Sequence, residues 1–354
     1  MNAALCLLVC TLPLLGPAPE SETPPRRTFP NALVISVDGL RSDALIALPA
    51  EELPGFARLR RGAATLNART DPEWTITLPN HTAMITGRFV EGEAGHGWRK
   101  NEDHDTDETI HVSKGRYVAG MFDVAHDRGF ETMLFAGKTK FSIYDVSWNE
   151  VNGAPDTTGT DEGRDKLDRY VYEKDTSDMV EVLLAALARE SSQRRLYFVH
   201  FAVPDLTGHA YGWDVTPDSR YMKAVRKVDA ELVRLLDAIE SNAALKSETA
   251  IVLTADHGGG APLKSHTQTH MWIDYIIPFV VWTGAGQEAR DLYALNTATR
   301  ADPGLWQPAR NAAGLPPIRN GDAANLALSL LGLPAVPEST IGAQQDLKVV
   351  TPAR

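Results

Sequence analysis

The sequence predicts an α/β fold with a mostly parallel central sheet, helices on both faces and loop insertions. Two observations support this prediction. Five short apolar runs, most of them rich in β-branched residues, indicate strands at residues 31–37, 132–136, 196–203, 250–254 and 278–282. Helical patterns lie between these runs, and the clearest is residues 221–239, where apolar residues recur at three- and four-residue spacing. Strands that alternate with helices are typical of a parallel sheet covered on both faces.

The first run and the last helix mark the two ends of the predicted fold. Residues 31–37 are continuously apolar or small, as expected for a strand buried on both faces, and the run ends at Asp38 and Gly39. Near the other end, Asp322 is a candidate N-cap of a helix over residues 323–331, which Gly332 and Pro334 would end. Residues 29–354 are therefore predicted to form one domain, with surface loops at residues 148–166 and 297–317.

The overall charge limits the classes of partner. The chain has 354 residues, 23% of them charged, and a formal net charge of −11, with no long run of Lys or Arg. Nonspecific attraction to duplex nucleic acid or anionic lipid is not expected from such a chain. A small anionic substrate would need a local positive charge, which bound metal ions can supply.

The N-terminal segment resembles a targeting sequence. Both cysteines, Cys6 and Cys10, lie in an apolar run at residues 3–15, which small residues and prolines follow. The run is too short to span a membrane and has the length of a signal-peptide core, although no Lys or Arg precedes it. We expect a signal peptide at residues 1–18, a flexible linker at 19–28, a periplasmic or secreted protein, and no transmembrane segment in the mature chain. The alternative is a cytosolic protein with an apolar start.

Several predicted strands are followed closely by residues that bind metals. Asp38 follows the first, Asp205 follows the run at 196–203, and Asp256 with His257 follows the run at 250–254. The carboxyl ends of strands form the ligand crevice of open α/β sheets, so these side chains are expected to converge. One such Asp alone is more typical of a turn, but the set predicts a site.

Two carboxylate and imidazole pairs give the site its predicted chemistry. Asp205 and His209 are four residues apart, whereas Asp256 and His257 are adjacent and precede three glycines. Carboxylate and imidazole are typical zinc ligands, and two such pairs suggest two divalent metal ions. In the alternative interpretation, His209 caps a helix and His257 is a hydrogen-bonded core residue.

Residues 74–87 predict a short helix that places Thr77 at its N-terminus. Pro79 is suited to the first turn, and Gly87 would end the helix. Free backbone N–H groups at such an end favour an anion. A threonine hydroxyl becomes a nucleophile when it is deprotonated, which metal coordination achieves near neutral pH.

Together, these motifs resemble those of the alkaline phosphatase superfamily, and most of all its type I phosphodiesterase/nucleotide pyrophosphatase branch. The motifs are Val37-Asp38-Gly39, Thr77-Leu78-Pro79-Asn80-His81, His96-Gly97 with Asn101, Asp205 to His209, and Asp256-His257-Gly258. The resemblance implies hydrolysis of phosphate esters with Thr77 as nucleophile and two zinc ions. It implies one ion held by Asp38, Thr77, Asp256 and His257, and another held by Asp205, His209 and a third histidine. Asn101 would bind a phosphoryl oxygen.

Two features leave parts of this interpretation open. The third histidine is expected to be His266, with His270 as the second choice. Lys138 and Lys140 resemble the substrate-binding lysines of alkaline phosphatases and phosphonoacetate hydrolases, which would favour monoesters or phosphonates over diesters. Alternatively, both lysines are solvated. A catalytically silent phosphate-binding protein is a further alternative, whereas Thr77 disfavours a sulfatase. The sequence does not predict the oligomeric state.

Overall fold

The computed structural model describes residues 27–161, 163–189, 193–284, 289–308 and 314–349. The expected signal peptide and most of the expected linker lie outside these residues. The described strands form one eight-stranded sheet. They are β1 (Asn31–Val37), β2 (Ala63–Arg69), β3 (Glu131–Ala136), β4 (Arg169–Tyr172), β5 (Arg195–Phe201), β6 (Thr249–Thr254), β7 (Ile276–Trp282) and β8 (Arg290–Asp291).

The order of the strands is β4-β3-β5-β1-β6-β7-β2-β8. The first five run parallel to one another, and β7 is antiparallel to both of its neighbours. The mostly parallel α/β sheet predicted from the sequence is thereby confirmed. Strands β1, β5 and β6 are buried along their whole length, which explains why most of their residues are apolar.

Helices cover both faces of the sheet. The described helices are α1 (Pro54–Leu59), α2 (Thr77–Thr86), α3 (Ile110–Lys114), α4 (Met121–His126), α5 (Ser142–Ser147), α6 (Thr176–Ala188), α7 (Val203–Tyr211), α8 (Arg220–Ser241), α9 (Ala243–Glu248), α10 (Trp272–Tyr275), α11 (Leu292–Leu295) and α12 (Asp322–Leu330). Helix α12 packs on β1 and β6 beside α2 and α4, whereas α8 packs against α1, α6 and α7. Short 3-10 helices occur at Ser42–Leu45, Ala50–Glu52 and Thr139–Phe141.

Some boundaries differ from the sequence-based expectations. Strand β5 ends at Phe201 rather than at residue 203, because α7 begins at Val203 with a proline in its first turn. Asp322 is the first residue of α12 and does not cap it. Its carboxylate instead accepts hydrogen bonds from the Arg319 backbone N–H and the Arg300 guanidinium. The cap prediction was therefore wrong, because two buried partners compete for this side chain.

Loops and short strands complete the described chain. Residues 148–166 contain no helix or strand at the described positions, and the same holds for the described part of residues 297–317, as expected. Strands β2, β4 and β8 were not predicted, because β2 mixes polar with apolar residues and the other two are short and partly exposed. A search of the described helices finds none with the length and apolar character needed to cross a membrane.

Candidate active site

Three neighbouring parallel strands direct carboxylates to one edge of the sheet. Asp38 directly follows β1, Asp205 lies in the first turn of α7 after β5, and Asp256 follows β6. Because β1 lies between β5 and β6, the three side chains meet over the middle of the sheet. Each side chain is at most 2% exposed, so their mutual repulsion is poorly screened by solvent.

One oxygen of each carboxylate is fixed by hydrogen bonds. Asp38 Oδ2 accepts from His200 Nε2 at 2.8 Å and from Lys138 Nζ at 2.7 Å. Asp205 Oδ2 accepts from the same ammonium at 2.6 Å. Asp256 Oδ1 accepts from two backbone N–H groups, at 2.9 and 3.0 Å. The second oxygens, Asp38 Oδ1, Asp205 Oδ1 and Asp256 Oδ2, are buried and accept no hydrogen bond from the described residues.

The unbonded oxygen of Asp205 faces two imidazoles. Asp205 Oδ1 lies 3.4 Å from His209 Nε2 and 3.8 Å from His266 Nε2. His209 Nδ1 donates to the Lys264 carbonyl and His266 Nδ1 donates to the Thr75 carbonyl, so in the neutral form of either ring the lone pair lies on Nε2. Burial and the neighbouring His257 lower the pKa of His266 to about 3, which keeps that ring neutral.

The unbonded oxygens of Asp38 and Asp256 face a third imidazole. His257 Nε2 lies 3.1 Å from Asp256 Oδ2 and 3.6 Å from Asp38 Oδ1. Burial alone would lower the pKa of His257, but the Asp256 and Asp38 carboxylates raise it to about 9. Burial and the Asp38 carboxylate raise the pKa of Asp256 to about 6. This pocket therefore favours positive charge.

These two groups have the donor chemistry of divalent metal sites. Asp38, Asp256 and His257 form one group, and Asp205, His209 and His266 form the other, with the ligand atoms of each group lying within 4.8 Å of one another. Buried carboxylate oxygens beside imidazole nitrogens are the donors that a zinc-type cation prefers, and such a cation would displace the proton that the raised pKa keeps on His257. His270 is exposed and belongs to neither group.

Thr77 begins helix α2 next to these groups. Its side chain is buried, and Oγ1 lies 3.4 Å from His257 Nε2. His81, one turn later, donates from Nδ1 to the Thr77 carbonyl and accepts at Nε2 from Ser36 Oγ on β1. The helix start is thereby held against the central strand, and Gly87 ends the helix in a left-handed conformation, as predicted.

Asn101 and Lys140 lie beside the same helix terminus. Asn101 Oδ1 accepts from the Leu78 backbone N–H at 3.1 Å and from Lys140 Nζ at 2.8 Å. Because both donors reach the oxygen, the amide nitrogen of Asn101 is oriented away from them, and it has no partner among the described residues. Burial and the nearby Lys138 lower the pKa of Lys140 to about 8.

A cleft of about 470 Å³ gives access to this arrangement. Six of the predicted site residues line it, namely Thr77, Asn101, Lys138, Lys140, Asp205 and His209. The other four are buried and do not line it, namely Asp38, Asp256, His257 and His266. Lys138 forms part of the wall, but its ammonium is bound to two carboxylates, and its side chain is only 12% exposed.

Four supporting residues were not found from the sequence. His200 accepts the Gly137 backbone N–H at Nδ1 and donates from Nε2 to Asp38. His81 holds Thr77, and Asn320 donates to the Asp256 carbonyl. Trp213 donates from Nε1 to the Gly39 carbonyl at 2.9 Å. Only His81 lies in a quoted motif; the other three act through contacts between distant segments, which have no local signal.

Comparison with known proteins agrees with the motifs. The family model for type I phosphodiesterase/nucleotide pyrophosphatase matches residues 32–283, which contain every predicted site residue. The chain is 24% identical over 259 residues to bis(5′-adenosyl)-triphosphatase from Xenopus laevis, covering 72% of this chain and 50% of the relative. It is 25% identical over 260 residues to ectonucleotide pyrophosphatase/phosphodiesterase family member 7 from Homo sapiens, covering 72% and 53%.

The chain therefore spans about half the length of the curated relatives it matches. A solved structure of an alkaline phosphatase superfamily protein from Vibrio parahaemolyticus is similar with a TM-score of 0.55 and 14% identity, covering 88% of this chain and 68% of that one. At this identity the likeness shows the fold alone, and it agrees with the observed sheet. On the extent of the family match, the chain belongs to the type I phosphodiesterase/nucleotide pyrophosphatase family.

Proposed function

We propose that the protein is a metal-dependent hydrolase of phosphate esters, of the phosphodiesterase/nucleotide pyrophosphatase type, that acts through a phosphothreonine at Thr77. One observation carries the proposal: Thr77 Oγ1 lies beside His257, at a helix N-terminus, next to the buried carboxylate and imidazole groups. A threonine hydroxyl in this position can attack phosphorus, because a cation bound by the carboxylate and imidazole groups would activate it and the helix N-terminus favours the anionic phosphoryl group.

The cations in this proposal are two divalent ions, and Zn²⁺ is our choice because the donors are imidazole and carboxylate. Asp38, Thr77, Asp256 and His257 would hold one ion. Asp205, His209 and His266 would hold the other. When bound, the ions lower the pKa of the Thr77 hydroxyl and offset the charge on the leaving oxygen.

The reaction then has two displacements at phosphorus. The Thr77 hydroxyl gives its proton to solvent, and Oγ bonds to phosphorus in line with the leaving oxygen, which departs with its bonding electrons and takes up a proton from solvent. The free amide of Asn101 donates to a non-bridging oxygen, where charge develops. In the second step, water attacks phosphorus, and the bond between phosphorus and Thr77 Oγ breaks. Oγ leaves with the bonding electrons and takes up a proton, which the attacking water replaces by losing one to solvent. With a diester substrate, the released product keeps the remaining organic group.

The substrate in this proposal is a small phosphorylated molecule, and a nucleotide is our first choice. One relative is named as a bis(5′-adenosyl)-triphosphatase, and the family model includes nucleotide pyrophosphatases. The cleft of about 470 Å³ is within the range of small-ligand sites. From the expected signal peptide, we propose that the enzyme acts in the periplasm or is secreted.

A second candidate is a phosphomonoesterase or a phosphonoacetate hydrolase-like enzyme. The observation that favours it is Lys140, which lies in the cleft next to Asn101. A monoester dianion carries one more anionic oxygen than a diester, and an added cation would stabilise it. Lys138, the other predicted substrate-binding lysine, shares the cleft wall.

Turnover on matched substrates tests both candidates. Wild type and Lys140→Ala are assayed on an aryl phosphate monoester, the corresponding diester, a dinucleotide pyrophosphate and a phosphonate. The first proposal expects the diester or the pyrophosphate to give the highest kcat/KM in wild type. A preference for the monoester or the phosphonate that Lys140→Ala abolishes would support the second candidate. No turnover on any of them, with metal present, would contradict both.

A further inference from the structure

Lys138 joins the two groups of metal-type donors. Its ammonium lies 2.7 Å from Asp38 Oδ2 and 2.6 Å from Asp205 Oδ2, so one cation contacts a carboxylate of each group. The ammonium thus binds Oδ2 of each residue, which we call the outer oxygen. The inner oxygens, Asp38 Oδ1 and Asp205 Oδ1, remain directed towards the imidazoles. Lys138 therefore does not occupy the donor atoms that a metal ion would use.

The position of Lys138 is set by two neighbouring strands. Gly137, the preceding residue, follows β3 and donates its backbone N–H to His200 on β5, which in turn donates to Asp38. A Cβ at Gly137 would lie 2.9 Å from the Ala202 side chain, so this close approach requires glycine. The chain thus contacts Asp38 twice, once through the Lys138 ammonium and once through His200.

Electrostatics determine whether Lys138 stabilises the metal-free or the metal-bound protein more. Three buried carboxylates lie at the site, and without a cation they repel one another in a medium that screens charge poorly. The ammonium offsets this repulsion when no metal ion is present. When divalent cations bind the inner oxygens, the same ammonium is repelled by them, and the carboxylate charge it binds is already partly neutralised. The lysine therefore stabilises the metal-free protein more than the metal-bound protein.

We propose that Lys138 is an internal counter-cation of the metal-binding site, which stabilises the metal-free protein and lowers its affinity for divalent cations. In this role it is a positioning residue that acts through Asp38 and Asp205 and not a direct contact to substrate. The inference rests on the proposed metal binding. It differs from the substrate-binding role predicted from the sequence, because a substrate contact would change KM and leave the affinity for metal unaltered.

The test measures metal binding and stability without any substrate. Metal-free wild type, Lys138→Met and Lys138→Arg are titrated with Zn²⁺ against a chromophoric chelator, and their thermal unfolding is followed with and without Zn²⁺. Methionine keeps the length of the side chain and removes its charge, whereas arginine keeps the charge. Lys174→Met is the matched control, because Lys174 lines the same cleft and is exposed to solvent.

We expect Lys138→Met to bind its first Zn²⁺ at least about tenfold more tightly than wild type. Its metal-free form should unfold roughly 5 °C lower, with a smaller difference when metal is bound. Lys138→Arg should lie closer to wild type than Lys138→Met in both Zn²⁺ affinity and unfolding temperature. Lys174→Met should equal wild type in both. If metal-free Lys138→Met cannot be isolated, purification in Zn²⁺ followed by chelation should unfold it while wild type stays folded.

Other outcomes overturn the inference. Unchanged or weaker binding of Zn²⁺ by Lys138→Met would do so, and so would a metal-free variant as stable as wild type or a variant that is insoluble even in Zn²⁺. A rise in KM alone would assign Lys138 to the substrate. If wild type binds no divalent cation at all, the proposed metal dependence fails as well, which separates that failure from one confined to Lys138.

Discussion

The Nε2 atoms of His209 and His266 lie 3.2 Å apart, although both rings donate their Nδ1 protons to backbone carbonyls. When both rings are neutral, rings held in this way present Nε2 lone pairs to each other, and no hydrogen bond can form between them. A shared cation, with Asp205 Oδ1 close by, would relieve the repulsion. This relationship supports the proposal that His266 is the third histidine ligand.

Replacing His266 with alanine is expected to remove one of the two bound ions. The variant should bind one equivalent of Zn²⁺ fewer than wild type, measured by elemental analysis after equilibrium dialysis, and kcat should fall roughly 10²-fold or more. His270→Ala is the matched control, since His270 is exposed and lies in neither donor group. Equal metal content in His266→Ala and wild type would contradict the assignment.

Thr77→Ala is expected to lower kcat roughly 10³-fold or more, because the nucleophile is removed and the metal groups remain. Thr77→Ser keeps a hydroxyl on the same helix terminus, and it should retain most of the activity that alanine loses. Steady-state rates on a phosphodiester, with metal content checked for both variants, make the comparison. Activity in Thr77→Ala near the wild-type rate would show that another group attacks phosphorus.

The activity on monoesters should depend on pH through Lys140. Burial and Lys138 lower its pKa to about 8, so Lys140 is positively charged below that pH and neutral above it. For a dianionic monoester, kcat/KM of wild type relative to Lys140→Arg should therefore fall as the pH rises from about 7 to about 9. Arginine stays charged across this range. A ratio that is independent of pH would exclude Lys140 from substrate binding.

Gly208→Ala is expected to destabilise the protein, although alanine is normally the better helix former. A Cβ at Gly208 in α7 would lie 2.3 Å from Trp213 Cε2, and Trp213 also packs closely on Gly259. We expect a loss of about 1–3 kcal/mol in the free energy of unfolding, measured with denaturant. In a protein that already carries Trp213→Ala, the further substitution Gly208→Ala should lower the free energy of unfolding by less than it does in wild type. A stabilised Gly208→Ala would show that Trp213 does not restrict this helix.

The sequence predicts the part of the site that strand ends create. Asp38 and Asp256 follow buried apolar strands whose pattern is local, and their convergence follows from a parallel sheet. The direction of β7 was not predicted, because an apolar run carries no information about which way a strand runs. His200 is also hidden from the sequence, since its side chain lies within a buried strand, where a structural histidine is the ordinary interpretation.

The spacing of Lys138 and Lys140 in the sequence does not predict which partners the two side chains have. This spacing resembles that of a pair of substrate-binding lysines, yet the two ammonium groups have different partners. Lys138 binds Asp38 and Asp205, whereas Lys140 binds Asn101. Gly137, directly before Lys138, donates its backbone N–H to His200 and lies close to Ala202, and these contacts join residues that are far apart in the chain.

The stereochemical course at phosphorus distinguishes attack by Thr77 from direct attack by water. A phosphorothioate diester that is chiral at phosphorus is hydrolysed in ¹⁸O-labelled water, and the configuration of the product is determined. Attack by Thr77 followed by attack of water comprises two in-line displacements, each of which inverts phosphorus. We therefore expect net retention of configuration; net inversion would show that water attacks the substrate directly and would contradict the phosphothreonine at Thr77.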